Sequence, residues 1–332
     1  MRLSLSVRCW LLLLLLPASG LAALQIGVVE LPLWSLLSGQ PTDALPGQVF
    51  WQLRLPRVLL AGLAGASLAL CGALLQLLSR NELADPYLFG VVSGAALGAT
   101  ISSLLLPGLA LALPVAAFAG ALLAVLTVLL LAQRSNAHGM HSVSTLLLTG
   151  LAVSFCASAI ASLLLYQADS FAANRIIFWL MGSLSRADWP AVSILAVSLL
   201  LTLTLCSLGR RQLAALAWSD DMAQSLGVAV KRWRLLLLLL CALLTAVVVA
   251  YCGGIGFVGL MIPHLVRLLF GTQILLLLFG SAVGGAVFLI WVDTAARTVL
   301  APQELPLGIL TALCGSLFFL LLLNRRRSPY ES

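Results

Sequence analysis

The chain has 332 residues, of which 62% are hydrophobic and 9% charged, and a formal net charge of +7. Soluble domains carry about 25% charged residues, and a chain this apolar lacks the polar surface to meet water on every side. A soluble globular fold is therefore excluded, and the solvent is a bilayer, where helices are the default spanning element because each satisfies its own backbone hydrogen bonds.

Apolar segments fall near residues 9–29, 57–79, 87–106, 111–132, 143–166, 190–208, 234–252, 255–270, 274–297 and 305–323. At roughly 20 residues per span this predicts an all-α, polytopic membrane protein of about ten transmembrane helices in a single domain, residues 1–332. The first segment, MRLSLSVRCWLLLLLLPASGLAA, has the basic start, apolar centre and small-residue end of a signal peptide. At the start of the second, Arg54 and Arg57 flank Pro56. After it come a polar knot, Asn81-Glu82-Leu83-Ala84-Asp85-Pro86, and a glycine ladder, Gly90, Gly94 and Gly98. Two overlapping G-x-x-x-G steps let helix backbones approach closely, and with no strand before them they are not a nucleotide fingerprint. Gly62, Gly65, Gly280, Gly284 and Gly285 suit the same packing role. His138 and His141 share a short turn that reads as a solvated loop.

Residues 169–189 are less apolar, and the bulky residues of FAANRIIFWL recur at helical spacing, which predicts a short amphipathic helix over about 170–183 at the outer surface. The longest polar insertion runs over about 209–234. Within it Ser219 is a plausible N-cap, and Asp220 and Asp221 put negative charge on the first turn, where the helix dipole favours it. Gly227 can end the helix in the left-handed conformation. The result is about two turns, with Met222 and Leu226 on one face at i, i+4 spacing. So short a helix does not stand alone in water and is expected to dock on something. The eighth apolar segment is short and punctuated by Gly and Pro, as a partial or bent span would be.

Basic residues set the orientation. With ten spans and a cytoplasmic N-terminus, Arg2, Arg8, Arg80, Arg134, Arg210, Arg211, Lys231, Arg232, Arg234, Arg267, Arg325, Arg326 and Arg327 fall inside. Only Arg54, Arg57, Arg175, Arg186 and Arg297 fall outside, the expected positive-inside bias. The outer arginines run against that bias and need a reason. Snorkelling to lipid phosphates is one, and Arg297 can also pair with Asp293 one turn earlier.

Chemistry of the catalytic kind is missing. The chain has no Walker A motif, and its lone lysine, Lys231, follows no glycine-rich loop, so ATP-driven work has to come from a partner. There is no nucleophile–base cluster, and the seven cysteines sit in or beside apolar runs without a Cys-x-x-Cys pair. No catalytic residue, metal ligand or cofactor is expected, nor a nucleic-acid partner.

Three blocks in fixed order carry a resemblance. Gln52–Gly98 reads QLRLPRVLLAGLAGASLALCGALLQLLSRNELADPYLFGVVSGAALG, residues 251–271 read YCGGIGFVGLMIPHLVRLLFG, and the tail segment reads WVDTAARTVLAPQELPLGILTALCG. From about Val49 to about Asn324 the chain resembles the FecCD-type permeases of bacterial ATP-driven importers for vitamin B12, ferric siderophores and haem. Glu82 stands where that family usually has proline. The resemblance implies a type II importer architecture in the inner membrane, with the first apolar segment kept as a helix and both termini cytoplasmic. It implies a second copy of the chain, a separate ATPase dimer that holds ATP and Mg, a periplasmic binding protein that feeds cargo, and surrounding membrane lipids.

It also implies site roles. Ser219, Asp220, Asp221, Met222, Ala223, Gln224, Ser225, Leu226 and Gly227 match the coupling helix that sits in a cleft of the ATPase. Arg54, Arg57 and Arg297 match arginines that face glutamates on the binding protein, a task that suits the planar, bidentate guanidinium. Asn81, Leu83, Val143, Ser144 and Thr145 match the cytoplasmic gates. A small, neutral or apolar lining suits a conduit that lets a bulky cargo slide. Two other readings compete. An ion-coupled secondary transporter usually carries ionisable groups at mid-membrane, and here only Asp293 could lie inside a span. An integral membrane enzyme lacks its residue cluster. Of the cargoes, ferric siderophore or haem is favoured by family frequency, with vitamin B12 next.

Overall fold

The computed structural model describes residues 5–27, 45–106, 112–135 and 143–326. His138 and His141 lie outside these residues. Among the described residues the chain is helical throughout, with no strand. The helices are α1 (Leu5–Gln25), α2 (Leu55–Ser79), α3 (Val91–Leu105), α4 (Ala112–Ser135), α5 (Val143–Gln167), α6 (Ser170–Leu180) and α7 (Trp189–Leu208). They continue with α8 (Arg210–Trp218), α9 (Asp220–Ser225), α10 (Val230–Cys252), α11 (Val258–Phe270), α12 (Ile274–Thr298) and α13 (Leu307–Arg326). Within the described residues each of the ten apolar segments overlaps one of these helices. Among the described residues six helical stretches are long and apolar enough to cross a membrane: 46–79, 112–132, 148–167, 189–208, 230–252 and 274–298. The apolar parts of α1, α3, α11 and α13 are shorter. Helix α11, with Pro263 inside it, is 13 residues long, or about 20 Å, against a hydrocarbon core of about 30 Å.

The chain packs as two compact units. The first comprises residues 1–73, 184–192 and 255–332. Here α12 packs against α1, α11 and α13. The chain enters α2 through a short helix, Leu45–Gln48, and a π-helical turn, Val49–Arg54, so the helical run starts well before the apolar segment at 57. Small residues let backbones meet: a Cβ added at Gly65 would overlap the carbonyl of Gly285, and one at Gly72 the backbone of Gly259. The His264 ring lies edge-on to Phe318, with centroids 5.9 Å apart.

The second unit comprises residues 74–183 and 193–254. Helix α3 packs against α4, α5 and α10 around an alanine- and valine-rich core that includes Ala95, Ala99, Ala117, Ala121, Val125, Ala246 and Val249. Gly94 and Gly98 stand against the carbonyls of Gly120 and Ala116 on α4, with no room for a side chain. Gly90 differs from the ladder expected of it. It precedes α3 with φ +77°, closing the 3-10 turn Pro86–Phe89, and the nearest atom to an added Cβ is Ser154 Oγ at 3.3 Å. Its left-handed conformation requires glycine, and its neighbours there are Gly150, Val153 and Ser154 of α5.

The amphipathic segment folds as α6, capped by Asp169, which accepts hydrogen bonds from the N–H groups of Phe171 and Ala172. Ala172 and Ile176 are buried, while Phe171 and Phe178 are exposed. Arg175 Nη2 donates to Ser103 Oγ at 2.6 Å, fastening α6 to α3.

Candidate functional site

Two clusters collect the residues singled out by sequence. In the first unit Arg54, Arg57 and Arg297 come together, with Asp293 and Glu304 between them. Arg57 is the hub. Its Nε donates to Asp293 Oδ1 and Oδ2 at 3.0 and 3.1 Å, and its Nη2 to Asp293 Oδ1 at 2.9 Å. Its other edge donates to Glu304, Nη1 to Oε1 at 2.7 Å and Nη2 to Oε2 at 3.0 Å. One planar fork thus holds two carboxylates, the geometry that distinguishes Arg from Lys. Asp293 is buried, whereas the Glu304 side chain is 42% exposed. Hydrogen bonding to Arg57 holds the Glu304 carboxyl below its usual range, against the opposing effect of partial burial.

The other two arginines close the end of α1. Arg54 Nη1 donates to the Leu24 carbonyl at 2.9 Å. Arg297 donates to the Ala23 carbonyl at 2.6 Å and to the Ile26 carbonyl at 2.8 Å, and its Nε lies 3.7 Å from Asp293 Oδ2. The last carbonyls of a helix lack intrahelical partners and carry its negative pole, so two cations there satisfy both needs. This supplies the reason these arginines require. Their guanidiniums point into the protein, and the pairing of Arg297 with Asp293 is the one present. Three guanidiniums against two carboxylates leave one positive charge, with Glu304 as an exposed member.

In the second unit α9 forms as its sequence signals dictate. Ser219 has extended backbone angles and accepts from the Met222 N–H at 3.0 Å, and Asp220 and Asp221 occupy the first turn. Gly227, at φ +78°, ends the helix. The Gly227 N–H donates to the Gln224 carbonyl and the Val228 N–H to the Ala223 carbonyl, each at 2.9 Å, the paired bonds of a Schellman motif. Ala223 is fully buried. Outward, Trp218, Met222 and Leu226 are 75%, 47% and 63% exposed. Met222 and Leu226 keep the i, i+4 spacing read from sequence, whereas Trp218 ends α8 and is set off from α9 by the extended backbone of Ser219.

Asp220 does more than face the helix dipole. Its Oδ1 accepts from Arg80 Nη2 at 2.5 Å and from Arg234 Nη2 at 3.1 Å. Arg80 follows α2 directly and precedes the polar knot. In that knot Asn81 Oδ1 accepts from the Leu83 N–H at 2.9 Å, and the Ala84 N–H donates to the Asn81 carbonyl at 3.1 Å. Asp85 Oδ1 caps the 3-10 turn through the Tyr87 N–H at 2.8 Å. Asn81 and Leu83 are exposed. Asp85 is buried, and burial pushes its carboxyl up to about 6 despite the hydrogen bond from Tyr87. Val143, Ser144 and Thr145 open α5, and Thr145 is half-buried. A cleft of about 620 Å³ between α3, α4 and α5 is lined by Gly, Ala, Leu, Ile and Val with Thr127 and Cys156.

Sequence reasoning missed α8, whose Leu213, Ala215 and Leu216 are buried within a stretch read only as polar insertion. It also missed the Arg80–Asp220–Arg234 contact, which joins residues 140 positions apart.

The family model of the FecCD transport family matches residues 12–325. The chain belongs to the FecCD transport family. Relatives in this family include the hemin transport system permease protein HmuU of Yersinia pestis, 40% identical over 322 residues that cover 95% of each chain. The vitamin B12 import system permease protein BtuC of Salmonella typhi is 40% identical over 314 residues, covering 91% of this chain and 94% of its own. Among solved structures, one described as the inward-facing conformation of an ABC transporter assigned to the metal-chelate type superposes with a TM-score of 0.85 at 34% identity, over 95% of this chain and 98% of that one. Together with its apolar helices, membership of the FecCD family makes the chain a multi-pass membrane protein.

Proposed function

We propose that this FecCD-family chain is the membrane-spanning, non-catalytic permease subunit of a binding-protein-dependent ABC importer in the bacterial inner membrane. It works as a pair of copies, each with about ten spans and both termini cytoplasmic, and is energised by ATP hydrolysis on a separate ATPase dimer. The observation that carries this reading is similarity along nearly the whole chain to permeases named for hemin and vitamin B12 import. The cargo class is a bulky iron or cobalt chelate: haem, a ferric siderophore or vitamin B12. An apolar cleft without charged lining suits passage rather than tight holding, and leaves recognition to the binding protein.

The pair Met222 and Leu226 is the surface offered to the ATPase. It is exposed, apolar and held on a helix closed at both ends, as a rigid docking element needs. Binding-protein docking falls to the Arg54, Arg57 and Arg297 cluster, where an incoming carboxylate reaches Arg57 from the Glu304 side. Co-expression with the ATPase subunit tests the reading. Met222→Glu is expected to abolish co-purification of the ATPase while the chain still inserts and stays monodisperse. Undiminished co-purification would refute the assignment of α9.

A further inference from the structure

We propose that Arg80 and Asp220 are positioning residues that carry a displacement of α9 to the Asn81–Pro86 knot, an inference that rests on the importer reading above. Helix α9 is closed by its own residues at both ends, Ser219 at the start and Gly227 at the finish, so it moves as one body. Asp220, in its first turn, grips two other elements with one oxygen, Arg80 after α2 and Arg234 on α10.

Arg80 is placed to pass that grip on. It adopts φ +51°, a left-handed conformation that glycine or asparagine reaches at lower cost. A long cationic side chain nevertheless occupies the position, and its guanidinium is spent on the α8–α9 junction, on Asp220 and on the Leu216 carbonyl at 3.3 Å. The backbone then runs straight into the knot through close hydrogen bonds. Ser79 Oγ accepts from the Asn81 N–H at 3.3 Å, Asn81 Oδ1 accepts from the Leu83 N–H, and Asp85 holds the start of the next turn. There is little slack between the Arg80 head and Leu83. Arg234 fixes the same carboxylate to the start of α10. A push on the exposed face of α9 is therefore delivered to two places at once, a membrane helix and the knot. Neither Arg80 nor Asp220 has to touch cargo to do this.

The test uses the complete complex, chain with ATPase and binding protein, in proteoliposomes, reading cargo uptake and ATP hydrolysis separately. Arg80→Gly suits the left-handed backbone, so it removes the tether without straining the turn. Uptake is expected to fall about tenfold while hydrolysis stays within about twofold of wild type, the scale on which a single site modulates coupling. Asp220→Asn is expected to lower uptake likewise, and Asp220→Glu to recover most of it. Uptake near the wild-type level in Arg80→Gly would overturn the inference. So would a parallel loss of uptake and hydrolysis, or loss of the ATPase from the complex, since the pair would then only hold the fold. A wild-type complex with neither activity would overturn the importer reading, and this inference with it.

Discussion

Replacing Asp85 by Asn isolates the cost of burying a carboxylate in the knot. Asp85 is buried, accepts from the Tyr87 N–H and titrates at about 6, against an ordinary 3.8. The sign follows from the two states. Below the unfolded value both hold the proton and no cost arises. Between 3.8 and about 6 the unfolded chain has released its proton while the folded one retains it, so stability falls as pH rises. Above about 6 both are ionised and the penalty is complete, about 3 kcal/mol at 1.36 kcal/mol per pH unit. Asparagine keeps the capping acceptor for Tyr87 and never ionises. Unfolding of wild type and Asp85→Asn in detergent, followed by loss of helical circular dichroism at pH 4 and pH 7.5, measures the difference. The stability of the variant relative to wild type is expected to rise by up to about 3 kcal/mol between the two pH values, whatever its offset at pH 4. An identical difference at both would refute the reasoning, because a purely structural effect of the substitution does not depend on proton release.

Other perturbations probe the first unit and the packing. Asp293→Ala leaves Arg57 and Arg297 buried with Glu304 alone to answer them. Removing one partner of a buried pair costs about 3–5 kcal/mol, and the remaining grip of Glu304 keeps the expected loss near the lower figure in a thermal unfolding assay. Glu304→Gln tests the depressed carboxyl. The wild-type residue contributes stability above the ordinary carboxylate value of 4.5 that is lost as pH falls through its lowered one, so the variant is expected to lose less on acidification from pH 7 to pH 3.5. Because Glu304 is well exposed, that difference is about 1 kcal/mol or less. Gly72→Val drives a side chain into the Gly259 backbone, and overpacking of this kind costs about 1–3 kcal/mol or more. A reduced monodisperse yield on size exclusion is the expected readout.

Local signals were the legible ones. The apolar runs announce helices because span length and hydrophobicity reside in consecutive residues, and Ser219 and Gly227 announce the ends of α9 because capping is a matter of a few neighbouring atoms. Gly90 sits at G-x-x-x-G spacing yet serves a turn, since spacing alone does not say where a helix starts. Helix α8 hid because its nine residues, three polar and then six apolar, are too few to show a helical period inside a polar insertion. The charge clusters hid for a different reason. Arg57 meets Asp293 across 236 positions and Arg80 meets Asp220 across 140, and no local pattern encodes such partners. The outer arginines stand out in the sequence because they run against the positive-inside bias. What they serve, the unpaired carbonyls at the end of α1, became visible only when α1 and α12 were in contact.

The most direct test of the importer reading is ATPase activity in lipid nanodiscs, with the chain assembled with its ATPase and binding protein and challenged in turn with haem, a ferric siderophore and cobalamin. Hydrolysis is expected to rise only when the binding protein and one of these cargoes are both present. Failure of the chain to assemble with an ATPase, or hydrolysis indifferent to the binding protein and to every chelate, would contradict that reading.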